Sequence, residues 1–382
     1  MAESTGTQTL PRQPDISVLI PVCRNAAFLP RSLESLRAQT HPDFEVIVIN
    51  DASPDNAAEV IARYLRKDSR IHAVTHEKNQ GTLTARLNGL DVAKGRYVMC
   101  LDADDTLDPD AMEKLLALAE KEHADVVAFG ARLLEENPAK DRYAKTIDAT
   151  KRTLTGQAVF EEVFLRHAYN WSVCLKLIRR ELFLRAAAEI PREYCIAAED
   201  FYLYTAISFF AEKLVANGRI YYNYFITPGI CNAQKIDFSA FQRFATLFTA
   251  LNGVREFLRK QGVFEKYRKA FEDREREHFL YLFERWPGRL VPEDRAKCLA
   301  FMLERYDREA VEKYVREYFA FAPGFAEKLL SGENPPFPEP PEARVSAAEC
   351  FFSPLRRLLP TESPQWFFVK KFSDALQQMR RK

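Results

Sequence analysis

The sequence predicts an α/β fold: a mostly parallel sheet flanked by helices, followed by a helical C-terminal region. Three observations carry this expectation. Short apolar runs alternate with helical stripes over the first part of the chain. Strands separated by helices of about 10–15 residues imply a parallel sheet with both faces covered. These runs end at Pro21, Asp51 and Asp102, the edge of an open sheet where ligands bind. From Phe238 to Leu330 the pattern turns mostly helical and rich in Phe, Arg and Glu.

The elements follow in order. Residues 1–14 read as a flexible leader. Ile16 to Ile20 is a buried strand stopped by Pro21. Phe28 to Gln39 carries apolar residues at 28, 29, 33 and 36, a helical stripe. Phe44 to Asn50 is a second strand, Asp55 to Lys67 a helix, and Ile71 to Val74 a third strand. Gly81 to Ala93 is a helix with Leu83, Leu87 and Leu90 on one face. Tyr97 to Leu101 is the fourth strand, Asp108 to Glu122 a helix and Val126 to Phe129 a strand. Later come a helix from Thr155 to His167, an apolar helix ending near Phe210, and a strand-like aromatic run from Tyr221 to Phe225.

Bulk properties narrow the function. The chain has 382 residues, 47% of them hydrophobic and 29% charged, as in an ordinary globular protein. A net charge of +1 argues against nucleic acid as the main partner. Seven scattered cysteines without a C-x-x-C fit reduced thiols in the cytoplasm. The polar start lacks the apolar core of a signal peptide, and no run reaches the roughly 18 apolar residues of a membrane span.

The chemistry centres on Tyr97 to Thr106, an apolar run that ends in Asp102, Asp104 and Asp105. Side chains two apart share a face in an extended chain, so Asp102 and Asp104 are expected to point the same way. Two hard oxygen ligands suit Mg²⁺ or Mn²⁺ completed by substrate phosphate oxygens. Other readings fit the same stretch. Asp105, Asp108 and Asp110 suit a helix N-terminus. The spacing matches a calcium loop except that Leu107 stands where the turn demands glycine. Asp102-Ala-Asp104-Asp105-Thr106 also matches a haloacid-dehalogenase-type phosphatase motif. That motif normally lies on the first strand, and here three strands precede it. No G-x-G-x-x-G follows a strand, against a dinucleotide-binding dehydrogenase.

Several pieces in this order resemble the family 2 glycosyltransferases of bacterial cell-surface polysaccharide type. These are Val18 to Val22 with Asn25, Gln39-Thr40 before Asp43 to Glu45, and Val48 to Asp55. They continue with Asn79 to Gly81, Ala85-Arg86 with Gly89-Leu90, Gly95 to Tyr97, and Leu101 to Asp105. The resemblance implies a GT-A catalytic domain and an inverting transfer of sugar from a nucleotide donor, favouring UDP. Its acceptor would be a hydroxyl of a glycan or lipid-linked molecule.

The resemblance also assigns roles. Asp51 accepts a hydrogen bond from a uracil-like ring N–H. Pro21 and Val22 pack the base, and Asn25 belongs to the same nucleotide-sugar set. Arg86 faces base or phosphates, the bland alternative being a solvated arginine. Asp104 contacts the metal, with Asp102 on ribose or a metal-bound water, and Asp105 serves as outer support or helix cap. Asp200, with Glu199 beside it, matches the family's general base ahead of an aromatic residue, here Phe201. The bland alternative is an acid pair favouring a helix N-terminus. Lys176 assists phosphate or acceptor, or is a plain surface lysine. Two positions depart from the family: Leu87 replaces an Asn, and Phe225 replaces the Arg of a loop near Pro228 to Ile230. These departures leave a non-catalytic nucleotide-sugar-binding scaffold as the alternative.

The expected divisions are the leader 1–14, a GT-A domain 15–237, a helical region 238–333, a proline-rich linker 334–345 and a tail 346–382. The tail carries seven Lys and Arg against three acids, with Trp366 and several Phe. Such a composition suits an anionic membrane surface, or packing on protein. His72 and His76 are read as structural.

Overall fold

A computed structural model describes residues 13–135, 145–147, 150–165, 171–226, 235–283 and 286–338. Leader residues 1–12, Pro228 to Ile230 and the tail lie outside these described residues. In order, β1 (Ile16–Val22), α1 (Leu29–Arg37), β2 (Phe44–Asn50), α2 (Ala57–Lys67) and β3 (Ile71–Thr75) open the chain. They are followed by α3 (Gly81–Val92), β4 (Tyr97–Cys100), β5 (Thr106–Leu107), α4 (Ala111–Glu122) and β6 (Val126–Glu135). Next come β7 (Lys145–Ile147), β8 (Arg152–Thr155), α5 (Gln157–Phe164), β9 (Lys176–Arg179) and α6 (Arg180–Ala187). α7 (Glu199–Phe210) and β10 (Lys213–Ile226) complete the sheet region.

The sheet runs β3-β2-β1-β4-β9-β6-β10-β5, with β7 on β6 and β8 on β10. Its first four strands are parallel, as the alternation of strand and helix requires. Every residue of β2 and β4 is buried, and β1 is buried except at Pro21. This is why these strands read as continuous apolar runs. Register pairs Val22 with Asn50 and Leu19 with Cys100, so the three strand exits share one edge. Beyond β4 the sheet becomes mixed. β9 inserts antiparallel between β4 and β6, while β10 runs parallel to β6. Lys176-Leu177-Ile178-Arg179 is too short to announce a strand, and its neighbours are remote in sequence.

Close packing fixes α3 on the sheet. A Cβ on Gly89 would meet Ile49 Cδ1 at 2.7 Å, so a small residue is needed where the helix crosses β2. Buried residues surround α3 on most of its faces, including Leu83, Ala85, Arg86 and Leu87. Leu87, the departure from the family's Asn, is fully buried in the core.

The helical region comprises α8 (Phe238–Phe244), α9 (Leu247–Lys260), α10 (Phe264–Phe283), α11 (Trp286–Arg289), α12 (Arg295–Arg305), α13 (Arg308–Tyr318) and α14 (Pro323–Leu330). It packs directly on the sheet region. His278 of α10 lies against Trp171 and Phe201, and Tyr267 against Phe160. The start of the expected linker is packed rather than free: Phe337 contacts Phe319 and Phe325, and Pro335 O accepts from Arg295 Nη1 at 3.2 Å. Among the described residues, no helix is long and apolar enough to cross a membrane.

Candidate active site

The site lies where β1, β2 and β4 end. The turn after β2 is tied to the exit of β1. Ser53 Oγ accepts from Arg24 N at 2.7 Å, and Asp55 Oδ2 accepts from Ala26 N at 2.9 Å. Pro21 and Val22 close β1, and the Asn25 carbonyl starts the following helical turn by accepting from Phe28 N and Leu29 N. Asp51 sits at this junction, 3% exposed. Its carboxylate accepts from Gln80 N at 2.7 Å and Gly81 N at 2.9 Å, and its Oδ1 lies 2.7 Å from His76 Nδ1. A carboxylate offers about four lone-pair sites, so these three partners leave room for one more donor. His76 in turn meets Asn88 Nδ2 through Nε2 at 3.0 Å, a structural bridge.

The acidic turn after β4 differs from expectation. The chain is not extended from Asp102 to Asp104: β4 ends at Cys100, and Asp105 N donates to Asp102 O at 3.1 Å in a turn. The two-apart rule for strands therefore does not orient Asp102 and Asp104. Nor do these acids cap α4. Its N-cap, Asp110, makes no side-chain cap bond. Asp105 is buried and accepts from Tyr222 Oη at 2.6 Å and Phe225 N at 2.8 Å. Asp108 accepts from Arg132 Nη1 at 2.8 Å and Asn223 Nδ2 at 3.0 Å. Asp105 and Asp108 thus fasten the acidic turn to β10 and β6. Burial, with the negative charge of Asp102, pushes the Asp105 carboxyl up to about 8.

Arg86 is not a solvated surface arginine. It is 1% exposed, inside α3. Nη1 lies 2.5 Å from Asp200 Oδ1 and 3.1 Å from Glu199 Oε1, and Nη2 lies 2.9 Å from Asp102 Oδ1. Burial opposes its charge, but Asp200, Asp102 and Glu199 hold its pKa above the ordinary arginine value. A guanidinium presents several donors in a fixed plane, which lets one residue join carboxylates from separate elements.

Glu199 and Asp200 open α7, entered through Ala198 at φ 60°. They are acids in a first turn, but both are spent on Arg86. Burial and the neighbouring Asp200 push the Glu199 carboxyl up to about 7. Burial also raises Asp200, with Asp102 adding and Arg86 opposing. Ser172, which the sequence did not single out, supplies a side-chain hydrogen bond to Asp200 that works against this rise. Lys176 is no surface lysine. It is 1% exposed, with Nζ donating to Ser172 O at 2.9 Å and lying 4.4 Å from the Tyr204 ring centroid. Burial brings its pKa down to about 7, and Asp200 opposes that fall.

Arg31 is a second residue missed in the sequence. It reaches from α1 to donate from Nη2 to Asp104 O at 2.6 Å, and stacks 3.5 Å from the centroid of Phe225. Its place at the acidic turn depends on β10, which no local signal connects to α1.

Asp102 and Asp104 supply two carboxylates on one turn. Among the described residues, no group of three or more His, Cys, Asp or Glu could hold a metal. This donor set fits a hard divalent ion that takes its remaining oxygens from a bound phosphate and water, not a closed protein cage.

Residues 17–183 match Glycosyl transferase family 2. The uncharacterized glycosyltransferase EpsJ of Bacillus subtilis (strain 168) is 32% identical over 177 residues, which cover 45% of this chain and 50% of EpsJ. This chain therefore spans about half the length of that relative. EpsH of the same strain is 27% identical over 264 residues, 68% of this chain and 73% of EpsH. Among solved structures, residues 1–349 of S. aureus TarS in complex with UDP-GlcNAc share the fold, with a TM-score of 0.50 and 18% identity. That likeness covers 84% of this chain and 92% of the TarS chain. The TarS likeness makes the sheet region a GT-A fold. The family match ends at residue 183, so Glu199, Asp200, β10 and the helical region lie beyond it.

Proposed function

We propose that the chain transfers a sugar, with inversion, from a UDP-sugar to a hydroxyl of a glycan or lipid-linked acceptor. The observation that carries this reading is the Arg86 bridge between Asp102 and Asp200. Arg86 joins Asp102 and Asp200, which in this reading serve the diphosphate end and the proton-accepting end. The family match and the TarS fragment's complex with UDP-GlcNAc support a nucleotide-sugar donor.

In this reading Asp51 receives the base N–H at its remaining acceptor position, and Pro21, Val22 and Asn25 line the base. Asp104 and Asp102 would hold Mn²⁺ or Mg²⁺, whose charge offsets that of the departing diphosphate. Asp200 takes the acceptor's proton as the acceptor oxygen bonds to the anomeric carbon and the bond from that carbon to the diphosphate oxygen breaks. Glu199 orients Asp200, and Lys176 balances its charge. The basic, aromatic tail supports peripheral contact with the cytoplasmic face of a membrane, where lipid-linked acceptors lie.

The test is a comparison of two variants by calorimetry and UDP release. Asp104→Asn is expected to lose metal-dependent UDP binding. Asp200→Asn is expected to bind UDP and lose turnover. Undiminished turnover in Asp200→Asn would remove the base assignment, and no turnover of any donor by the natural chain would favour a binding scaffold. Liposome flotation of the full chain against one ending at Pro341 tests the tail. Equal binding by both would sink that role.

A further inference from the structure

The segment Cys195 to Ala198, which leads into Glu199 and Asp200, is gripped from two sides. On one side stands α3. Leu83 N donates to Cys195 O at 3.1 Å, and Thr84 Oγ1 donates to Glu193 O at 2.9 Å. Gly81, at φ 81°, lies so close that a Cβ there would come within 2.9 Å of Cys195 N. On the other side stands Thr246, buried at the junction of α8 and α9. Its Oγ1 accepts from Ala197 N at 3.1 Å and Ile196 N at 3.2 Å, and donates to Arg243 O at 2.8 Å.

Two features set Thr246 apart from an ordinary helix cap. Threonine at an N-cap normally accepts from its own helix, yet here the side chain makes no such bond to α9. A hydroxyl has one donor and two acceptor sites, and the bonds to the segment and to Arg243 use all three. The backbone it holds then enters α7 through Ala198 at φ 60°, a left-handed conformation that non-glycine residues adopt only when the surroundings impose it.

We infer that Thr246 is a positioning residue for the reaction. Through its hydroxyl, the helical C-terminal region fixes the direction in which Glu199 and Asp200 leave the loop toward Arg86. The inference rests on the proposed role of Asp200 as base. It assigns a mechanistic task to a region outside the family match: the catalytic pair is held between α3, which also carries Arg86, and the α8–α9 junction.

The experiment uses the full chain with Thr246→Val, which keeps the shape and removes the hydroxyl, and Thr246→Ser, which keeps the hydroxyl. Turnover of UDP-GlcNAc and UDP-glucose is followed as UDP release, binding of UDP by calorimetry, and amide hydrogen exchange by mass spectrometry. The expected result for Thr246→Val is a kcat lowered roughly 10- to 100-fold, unchanged UDP affinity, and faster exchange at Ile196 and Ala197. Thr246→Ser restores all three. Natural kcat in a folded Thr246→Val overturns the inference, as does an equal loss in both variants. If Thr246→Val does not fold, Thr246→Ser against Thr246→Ala carries the same comparison. If the natural chain turns over neither donor, other UDP-sugars are tried, and no turnover of any of them is a failure of the proposed function. The clamp is then judged by exchange alone, and unchanged protection at Ile196 and Ala197 overturns it.

Discussion

Arg86 Nη1 and Asp200 Oδ1 stand 2.5 Å apart, joining the middle of α3 to the first turn of α7. The same guanidinium reaches Asp102 after β4. Replacing Arg86 by Met would leave three carboxylates facing one another without their shared cation. Breaking a buried pair by removing one partner costs about 3–5 kcal/mol. The low end is expected, because the Asp102 side chain is 38% exposed. Urea denaturation checks this, and natural stability in Arg86→Met would show that the carboxylates relax away from one another.

The acid pair sets a pH dependence. The Glu199 carboxyl is raised to about 7 by burial and by Asp200, and Asp200 is raised as well. Both carboxyls hold their protons to higher pH than ordinary acids, so turnover is expected to rise with pH as the pair ionises. In Glu199→Gln the neighbouring negative charge is gone, and the rising limb should move to lower pH. A kcat profile from pH 5 to 9 measures both. A limb that stays in place would mean that the two carboxyls do not titrate as a unit.

Lys176 links burial to stability with a defined sign. Its folded pKa is lowered to about 7 by burial, below the ordinary value of 10.5. Between those values the unfolded chain holds a proton that the folded chain releases, so stability falls as pH drops from about 10.5 through about 7. Lys176→Met removes this dependence. The variant should gain stability relative to the natural chain more at pH 7 than at pH 10, while turnover falls because Asp200 loses a nearby cation. Thermal melts at the two pH values provide the check.

His278 gives a stability slope on the acid side. Burial lowers its pKa from 6.5, with Nδ1 2.7 Å from Arg274 O and the ring against Trp171 and Phe201. Below about 6.5 the unfolded chain takes a proton that the folded chain refuses, so this contribution is lost as pH falls. His278→Phe should flatten the decline in the urea midpoint between pH 6.5 and 5. An unchanged slope would assign the decline to other groups.

Gly253 tests how closely the helical region is seated on the sheet region. A Cβ there would fall 2.2 Å from Tyr202 Cε1 of α7. Gly253→Ala should therefore destabilise the chain by about 1–3 kcal/mol through overpacking, despite alanine's better helix propensity. A melting temperature equal to or above the natural one would show that Tyr202 moves aside.

Much was legible in the sequence where one stretch carried its own signal. The continuous apolar runs at Ile16, Phe44 and Tyr97 marked buried parallel strands, because such strands bury both faces. Their exits marked one edge of the sheet. Asp51, Asp102, Asp104, Glu199 and Asp200 stood out as acids at element ends, and family resemblance gave them order. The strand Lys176 to Arg179 was not legible, since only its antiparallel place between β4 and β6 makes it one. Asp105 looked like part of a helix start. Its partners Tyr222 and Phe225 lie more than a hundred residues away.

By itself, then, the sequence determined the α/β class and the shared sheet edge at which the strands ending near Pro21, Asp51 and Asp102 stop. Local periodicity and chain polarity suffice for these. Tertiary structure alone decided the electrostatics: that Arg86 is buried among three carboxylates, that Lys176 is inside, and that Thr246 serves a loop instead of its own helix. A pKa or a positioning bond depends on what stands within a few ångströms, and in this fold those neighbours come from elements far apart along the chain.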